Sequence, residues 1–316
     1  MDNTSDVTSI VLTGFENIGS IRYFYFCVIL ILYFSIIFAN SLIIGVICTD
    51  RGLREPMYLL LCNLSVTELY GSTALYPSLL VNMLLDIHEV SKIFCFVQIF
   101  CLFTYGSIEF SSLSVMAYDR YVSICYPLEY HSIMTPTKVY ILIILIWFYC
   151  TLKVSVTIGL TARLPLCGNT IYKVYCDNYS LVRLSCVDST ANNIYGLVSL
   201  VFTVVIPSLL IVYSYSKILR ICLRSSKESQ VKALKTCTPH LASLINFSLG
   251  CLFEIVQSRF DMMHVPSIVR IFVSVYFLMI CPIFNPIIYG VRTTKIRAVF
   301  KKVYARWLTP LGIHVK

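Results

Sequence analysis

The chain has 316 residues, of which 58% are hydrophobic and only 13% charged, roughly half the ~25% charged share of a soluble globular domain. That balance excludes an ordinary soluble fold, whose helices are apolar on one stripe rather than all round. The formal net charge of +9 suits contact with anionic lipid and calls for no nucleic-acid partner.

Seven apolar segments run over 24–48, 57–85, 93–118, 139–160, 195–223, 236–256 and 267–291. Each supplies the ~20 residues that a helix needs to cross ~30 Å of hydrocarbon. They use almost the whole length. The sequence therefore predicts an all-α membrane protein with three parts: an N-terminus over 1–23, a seven-helix domain over 24–291 and a short helix and tail over 292–316. Lys and Arg set its direction. The segments 49–56, 120–138, 217–235 and 292–316 carry 17 of them, against 7 on the other side, with Lys153 inside a span. The richer side is cytoplasmic, which puts the N-terminus outside. The first apolar run has no charged leader and no cleavage site, so it reads as a signal-anchor.

In chain order, the N-terminus offers a glycosylation sequon at Asn3 and the long loop after the fourth span another at Asn178. Two more, at Asn63 and Asn246, fall within spans and should be silent. The second span opens on Pro56-Met57-Tyr58, continues through Asn63-Leu64-Ser65 and contains Glu68. An unpaired carboxylate there costs at least ~2.5 kcal/mol. The third span begins near Cys95 and passes Leu102, Phe103, Thr104, Tyr105 and Ser107, a mixed polar and apolar wall. It then holds a second buried acid, Glu109. It ends in the run from Met116 to Leu128, where Asp119, Arg120 and Tyr121 stand side by side. Such a pair at a membrane face is either functional or a snorkelling anchor. Lys153 in the fourth span either reaches toward the outer surface, the favoured reading, or serves as an anion partner inside the bundle.

Of 14 cysteines, ten lie in or beside spans and serve as small apolar residues. Cys95, Cys167, Cys176 and Cys186 face the oxidising side, where pairing is expected. Four cysteines allow three connectivities, and the residues alone do not choose. The fifth span carries Ser199 and Thr203, then Ser214-Tyr215 and Ile218-Leu219. A basic stretch follows, leading into the run from Lys232 to Leu241 with His240. Cys251, Ile255 and Arg259 follow on the sixth span. The planar fork of Arg259 suits a carboxylate; alternatively it is a surface charge paired with Glu254 or Asp261. The seventh span holds Leu278 and the run Pro282 to Tyr289, where proline removes a helical bond and lets the helix bend. The tail over 294–306 relies on charge and an apolar face at the membrane. No glycine-rich phosphate loop, paired CxxC or HExxH appears, and the five histidines lack metal-ligand spacing. The chain is therefore not expected to be an enzyme or to carry a metal or organic cofactor.

The run Met116 to Leu128, with Tyr130, closely resembles the signature of vertebrate odorant receptors, a branch of the rhodopsin-like G-protein-coupled receptors. Ser123 stands where that signature has Ala. Ile10 to Phe15, Pro56 to Tyr58, Asn63 to Ser65, Ser214-Tyr215, Lys232 to Leu241 and Pro282 to Tyr289 match further elements in the right order, over about residues 10–303. Arg259-Phe260 is similar to a pair in the fish-like subgroup that detects water-soluble odorants.

The resemblance implies Cys95–Cys176 and Cys167–Cys186 disulfides that brace the second extracellular loop as a lid. It implies a resting state held by Asp119-Arg120, with Tyr121 beside them; activation frees Arg120 to meet a heterotrimeric G protein or Tyr215. His240, Asn285, Pro286 and Tyr289 belong to the same machinery. Leu102, Phe103, Tyr105, Ser107, Ser199, Thr203, Cys251, Ile255 and Leu278 would wall a small-odorant site, with Arg259 on the ligand's acid group. Amine receptors keep an acid where Leu102 and Phe103 lie, so an amine is not the expected ligand. Glu68 and Glu109 would face each other as a sodium or proton site, or as a neutral pair used for packing. Phe247-Ser248-Leu249 departs from the family, because an aromatic that floors the pocket is missing. The implied function is odorant detection at the plasma membrane through a stimulatory G protein and cyclic AMP. The alternatives are a non-olfactory receptor for a peptide or lipid, and a transporter or channel, although no internal repeat is visible.

Overall fold

The computed structural model describes residues 7–15, 19–224, 226–259, 267–292 and 295–299. The side chains of residues 15, 229, 232–236, 255–259, 267–268, 270–275, 277 and 291–292 lie outside that description. Helices α1 (Arg22–Thr49), α2 (Pro56–Leu84), α3 (Lys92–Cys125) and α5 (Pro136–Ala162) form the first four spans. A short α4 (Tyr130–Ile133) lies between α3 and α5. The fifth span is composite: α7 (Thr190–Leu200), a π-helical stretch (Val201–Val205) and α8 (Ile206–Arg224). α9 (Lys227–Arg259) and α10 (Ser267–Arg292) complete the seven-helix bundle. α6 (Asn178–Arg183) is a short loop helix.

Local chemistry sets the boundaries. Ser91 caps α3 by accepting from the Phe94 N–H at 3.1 Å, and Thr135 caps α5 by accepting from Lys138 at 3.3 Å. Pro56 and Pro136 open α2 and α5 at the first helical turn, where no N–H is missed. Inside the spans, hydroxyls return to the preceding turn: Thr67 to the Asn63 carbonyl, Ser107 to Phe103 and Ser214 to Leu210. A serine or threonine can thus sit in hydrocarbon with its polar group satisfied.

Among the described residues, four stretches are long and apolar enough to cross a membrane by length and composition: Gly19–Thr49, Lys92–Cys125, Pro136–Ala162 and Thr190–Arg224. α2, α9 and α10 have comparable lengths of 29, 33 and 26 residues but carry more polar side chains. The outward faces are apolar, as at Phe34, Phe38, Ile144, Phe148, Leu209 and Val212, while Asn40, Asn63, Glu68, Glu109 and Asn285 are buried. That is the inverse of a soluble protein and suits lipid as solvent. α3 is the axis, packed against α2, α5, α8 and α9. From Cys95 to Arg120 it rises ~38 Å at 1.5 Å per residue, enough to put the two at opposite membrane faces.

Outside the bundle, a small sheet of order β2-β1-β3 joins three distant segments. β1 (Ser9–Leu12) pairs antiparallel with β2 (Glu89–Ser91), with Ile10 opposite Val90. It runs parallel to β3 (Thr170–Ile171). Ile10 and Leu12 are fully buried and pack with Cys95, Ile99, Ile171, Cys176 and Leu181. Gly14 lies so close to the loop that a Cβ would sit 2.5 Å from the Lys173 carbonyl carbon. Cys95–Cys176 and Cys167–Cys186 are both formed. The long loop after α5 is therefore tied to α3 by a disulfide and to the N-terminus by a strand pair.

Candidate functional site

Three polar layers follow one another through the bundle. The central layer is built on α2, α3 and α10. Glu68 and Glu109 are fully buried, and Asn285 bridges them, its Nδ2 donating to Glu68 Oε1 at 2.5 Å and to Glu109 Oε1 at 2.9 Å. Tyr105 donates to Glu68 Oε2 at 2.9 Å. Gly71 makes this possible: a Cβ there would lie 2.5 Å from the Tyr105 ring. Tyr105 is thus turned toward α2 and fully buried, which takes it out of the wall that the sequence assigned it to. Glu109 Oε2 has no hydrogen-bond partner among the described residues. Two carboxylates so close require a proton or a cation between them.

The same layer holds the seventh-span bend. Pro286 lacks the N–H that would bond the Pro282 carbonyl. Asn40 Nδ2 of α1 donates to that carbonyl at 2.9 Å. Asn40 is buried and conspicuous in its apolar helix, a signal that the sequence reading passed over.

At the inner face, Asp119 and Arg120 form a closed ion pair, with Arg120 Nε donating to Asp119 Oδ2 at 3.0 Å. Asp119 is fully buried and Arg120 nearly so. Tyr130 of α4 donates to the second carboxylate oxygen, Oδ1, at 2.8 Å. Tyr121 stands apart from the pair, its hydroxyl 3.4 Å from that of Tyr126. Tyr289 and His240 meet at 3.0 Å between the hydroxyl and Nδ1. The Tyr215 hydroxyl is buried and lacks a hydrogen-bond partner among the described residues. It borders a cleft of about 210 Å³ between α8 and α9, which Ile218, Cys237 and Leu241 also line.

The outer layer is where the sequence expects the ligand wall. Leu102, Ser107 and Leu278 are buried, Ser199, Thr203 and Cys251 half-buried, and Phe103 is 40% exposed. The side chains of Ile255 and Arg259 lie outside the described residues, as does Asn3. Phe247 packs edge-on against Phe110 at 5.4 Å between ring centroids, and Tyr276 of α10 donates to Asn246 Oδ1 at 2.8 Å. Lys153 corrects its favoured reading. It does not reach toward the outer surface: its Nζ donates to Ser107 Oγ at 2.8 Å and to Thr203 Oγ1 at 2.5 Å. Both hydroxyls lie within reach of a four-carbon side chain on the inward side of α5.

Above this layer the loop is strapped to α9. Lys173 is buried and lies 2.5 Å from Glu254 Oε1 and 3.5 Å from Asp177 Oδ2. Burial works against the Lys173 charge, but Asp177 and Glu254 outweigh it and raise the ammonium above the ordinary 10.5. Glu254, offered by the sequence as a partner for Arg259, is thus engaged by the loop. The Cys176 N–H donates to Gln98 Oε1 at 2.9 Å, which adds a second tie beside the disulfide.

Comparison with known proteins agrees over most of the chain. The sequence profile of the olfactory receptor family matches residues 26–306. Among human relatives, olfactory receptor 52D1 is 34% identical over 294 residues, covering 92% of each chain. Olfactory receptor 4K15 is 31% identical over 314 residues, covering 99% of this chain and 95% of the relative. Olfactory receptor 51L1 is 32% identical over 306 residues, covering 93% and 95%.

Proposed function

Because the chain belongs to the olfactory receptor family, a family of multi-pass membrane receptors and not of enzymes, we propose that it detects a small odorant in the outer half of its bundle. The signal leaves through a stimulatory heterotrimeric G protein and cyclic AMP. The receptor works at the plasma membrane with its N-terminus, and the sequons at Asn3 and Asn178, outside. The peptide-receptor, transporter and channel readings give way to the family.

One observation supports this reading above the others: α3 carries all three polar layers. Ser107 and Phe103 lie in its outer half, Glu109 in the middle and Asp119-Arg120 at the inner end. A ligand that shifts α3 against α10 therefore disturbs the Asn285 bridge and, with it, the bend at Pro286. Loss of the Asp119 contact frees Arg120 toward Tyr215 and the cleft beside α9, while Tyr289 and His240 hold α10 to α9. Glu68 and Glu109 hold a sodium ion or a shared proton that favours the resting state. Signalling is then a population shift, so an agonist binds the active arrangement better than the resting one.

The test is a cyclic AMP assay in cells with verified surface expression, challenged with small acids, esters, alcohols and amines. An odorant response that disappears in Arg120→Ala, with surface staining retained, is the expected result. A response that survives Arg120→Ala, or silence to every odorant, overturns the reading.

A further inference from the structure

Lys153 is a cation in the middle of a span with no matching anion among the described residues. The ion pairs of the described residues engage Arg22, Arg120, Lys173 and Lys295, not Lys153. Its two recorded side-chain partners are hydroxyls, Ser107 Oγ and Thr203 Oγ1. Hydroxyls hold an ammonium in place without neutralising it. The Ser107 proton is already committed to the Phe103 carbonyl at 2.7 Å, so that oxygen faces Lys153 as an acceptor only. An ammonium has three N–H donors, and one remains unassigned. A charge kept at this depth is a functional site by default, its missing partner being the question.

The backbone around Lys153 is shaped for it. Thr203 sits in the π-helical stretch Val201–Val205, a widened turn of the kind that re-aims side chains at functional sites. Tyr195 of α7 donates to the Lys153 carbonyl at 2.9 Å, which fixes α5 against the fifth span at the same level. Phe103 stands one turn outward of Ser107 on the same face of α3, and the residue is 40% exposed. A cation flanked by two hydroxyls and an accessible aromatic wall is a site for a small molecule with one negative group and an apolar body.

We propose that Lys153 is the residue that reads ligand charge, seating a carboxylate on its Nζ with the ligand's hydrocarbon against Phe103. The assignment deepens the odorant-receptor reading and rests on it. It also moves the acid contact from Arg259, at the outer end of α9, to the α3–α5–fifth-span junction.

The experiment measures ligand-induced thermal stabilisation of the purified full-length receptor in lipid nanodiscs, which needs no G protein. The probes are short straight-chain carboxylic acids, each paired with its methyl ester, plus the matching alcohols. Acids should stabilise the receptor and their esters should not. Lys153→Met should raise the concentration needed by about 10- to 100-fold, the value of a lost charge-assisted hydrogen bond. Lys153→Arg should restore part of the response, and Arg259→Ala should leave the acid-over-ester preference in place. Equal acid potency in Lys153→Met, or a preference lost only in Arg259→Ala, overturns the assignment while odorant detection stands. Stabilisation by esters and alcohols but no acid does the same. Absence of stabilisation by every probe in a folded receptor, together with silence in the cyclic AMP assay, overturns both.

Discussion

Arg120 and Lys153 are both cations within the bundle, the first buried and the second half-buried, and they are held in opposite ways. Arg120 meets a carboxylate whose second oxygen is itself occupied by Tyr130. Lys153 meets only hydroxyls. The first arrangement is closed: every charge has a partner, and opening it leaves an isolated charge out of water. The second is open, because no anion among the described residues completes it. A matched buried charge acts as a latch, and an unmatched one as a place for something still to arrive. The carboxylate pair between them is a third case, with two like groups and one amide, completed by a proton or a cation.

The largest effect should come from breaking the latch. Asp119→Asn leaves Arg120 buried and unpaired, a loss of about 3–5 kcal/mol in resting-state stability. It should appear as lowered thermal stability together with raised ligand-free cyclic AMP. Tyr130→Phe keeps the ion pair but removes the hydroxyl from the carboxylate, a loss of about 1.5–3 kcal/mol for a bond to a charged group. Its ligand-free signal should rise less than that of Asp119→Asn at matched surface density. Gly71→Ala pushes on the Tyr105 ring at the central layer and should destabilise by about 1–3 kcal/mol through overpacking. The accompanying Tyr105→Phe variant, which lacks the hydroxyl bonded to Glu68, separates crowding from hydrogen bonding in the same unfolding measurement. Glu109→Gln sharpens the contrast most. It is the same acid-to-amide change as Asp119→Asn, yet it removes one of two like charges, so stability should change by less than about 1.5 kcal/mol. Its readout is the sodium dependence of ligand-free signalling, which should disappear. Unaltered sodium dependence would rule out the ion site.

Much of this was readable in the residues. Length and apolar composition dictate the seven spans, because apolar runs of ~20 residues satisfy their backbone in hydrocarbon as helices. Asp119-Arg120 and the Pro282 to Tyr289 run stand out as costly or breaking residues placed at helix ends. The two disulfides needed the family resemblance, since four cysteines alone left three pairings open. What the sequence hid has physical reasons. The β2-β1-β3 sheet pairs strands of two to four residues brought together from remote segments, too short for any periodic signal. Tyr105 turns to Glu68 only because Gly71, on another helix, leaves room. Lys153 carries a long stem that can place its charge inward or outward from one Cα position, and the choice depends on hydroxyls from two other helices. Asn40 was legible in principle: a lone amide in a 28-residue apolar helix needs a partner, and the carbonyl freed by Pro286 supplies it.

The most direct measurement compares Asp119→Asn and Lys153→Met in one cyclic AMP experiment at matched surface expression, with acids and their methyl esters as agonists. The account predicts that Asp119→Asn raises the signal before any odorant is added, and that Lys153→Met loses the preference for acid over ester. An unchanged ligand-free signal in the first and an intact acid preference in the second would contradict the division into latch and reader.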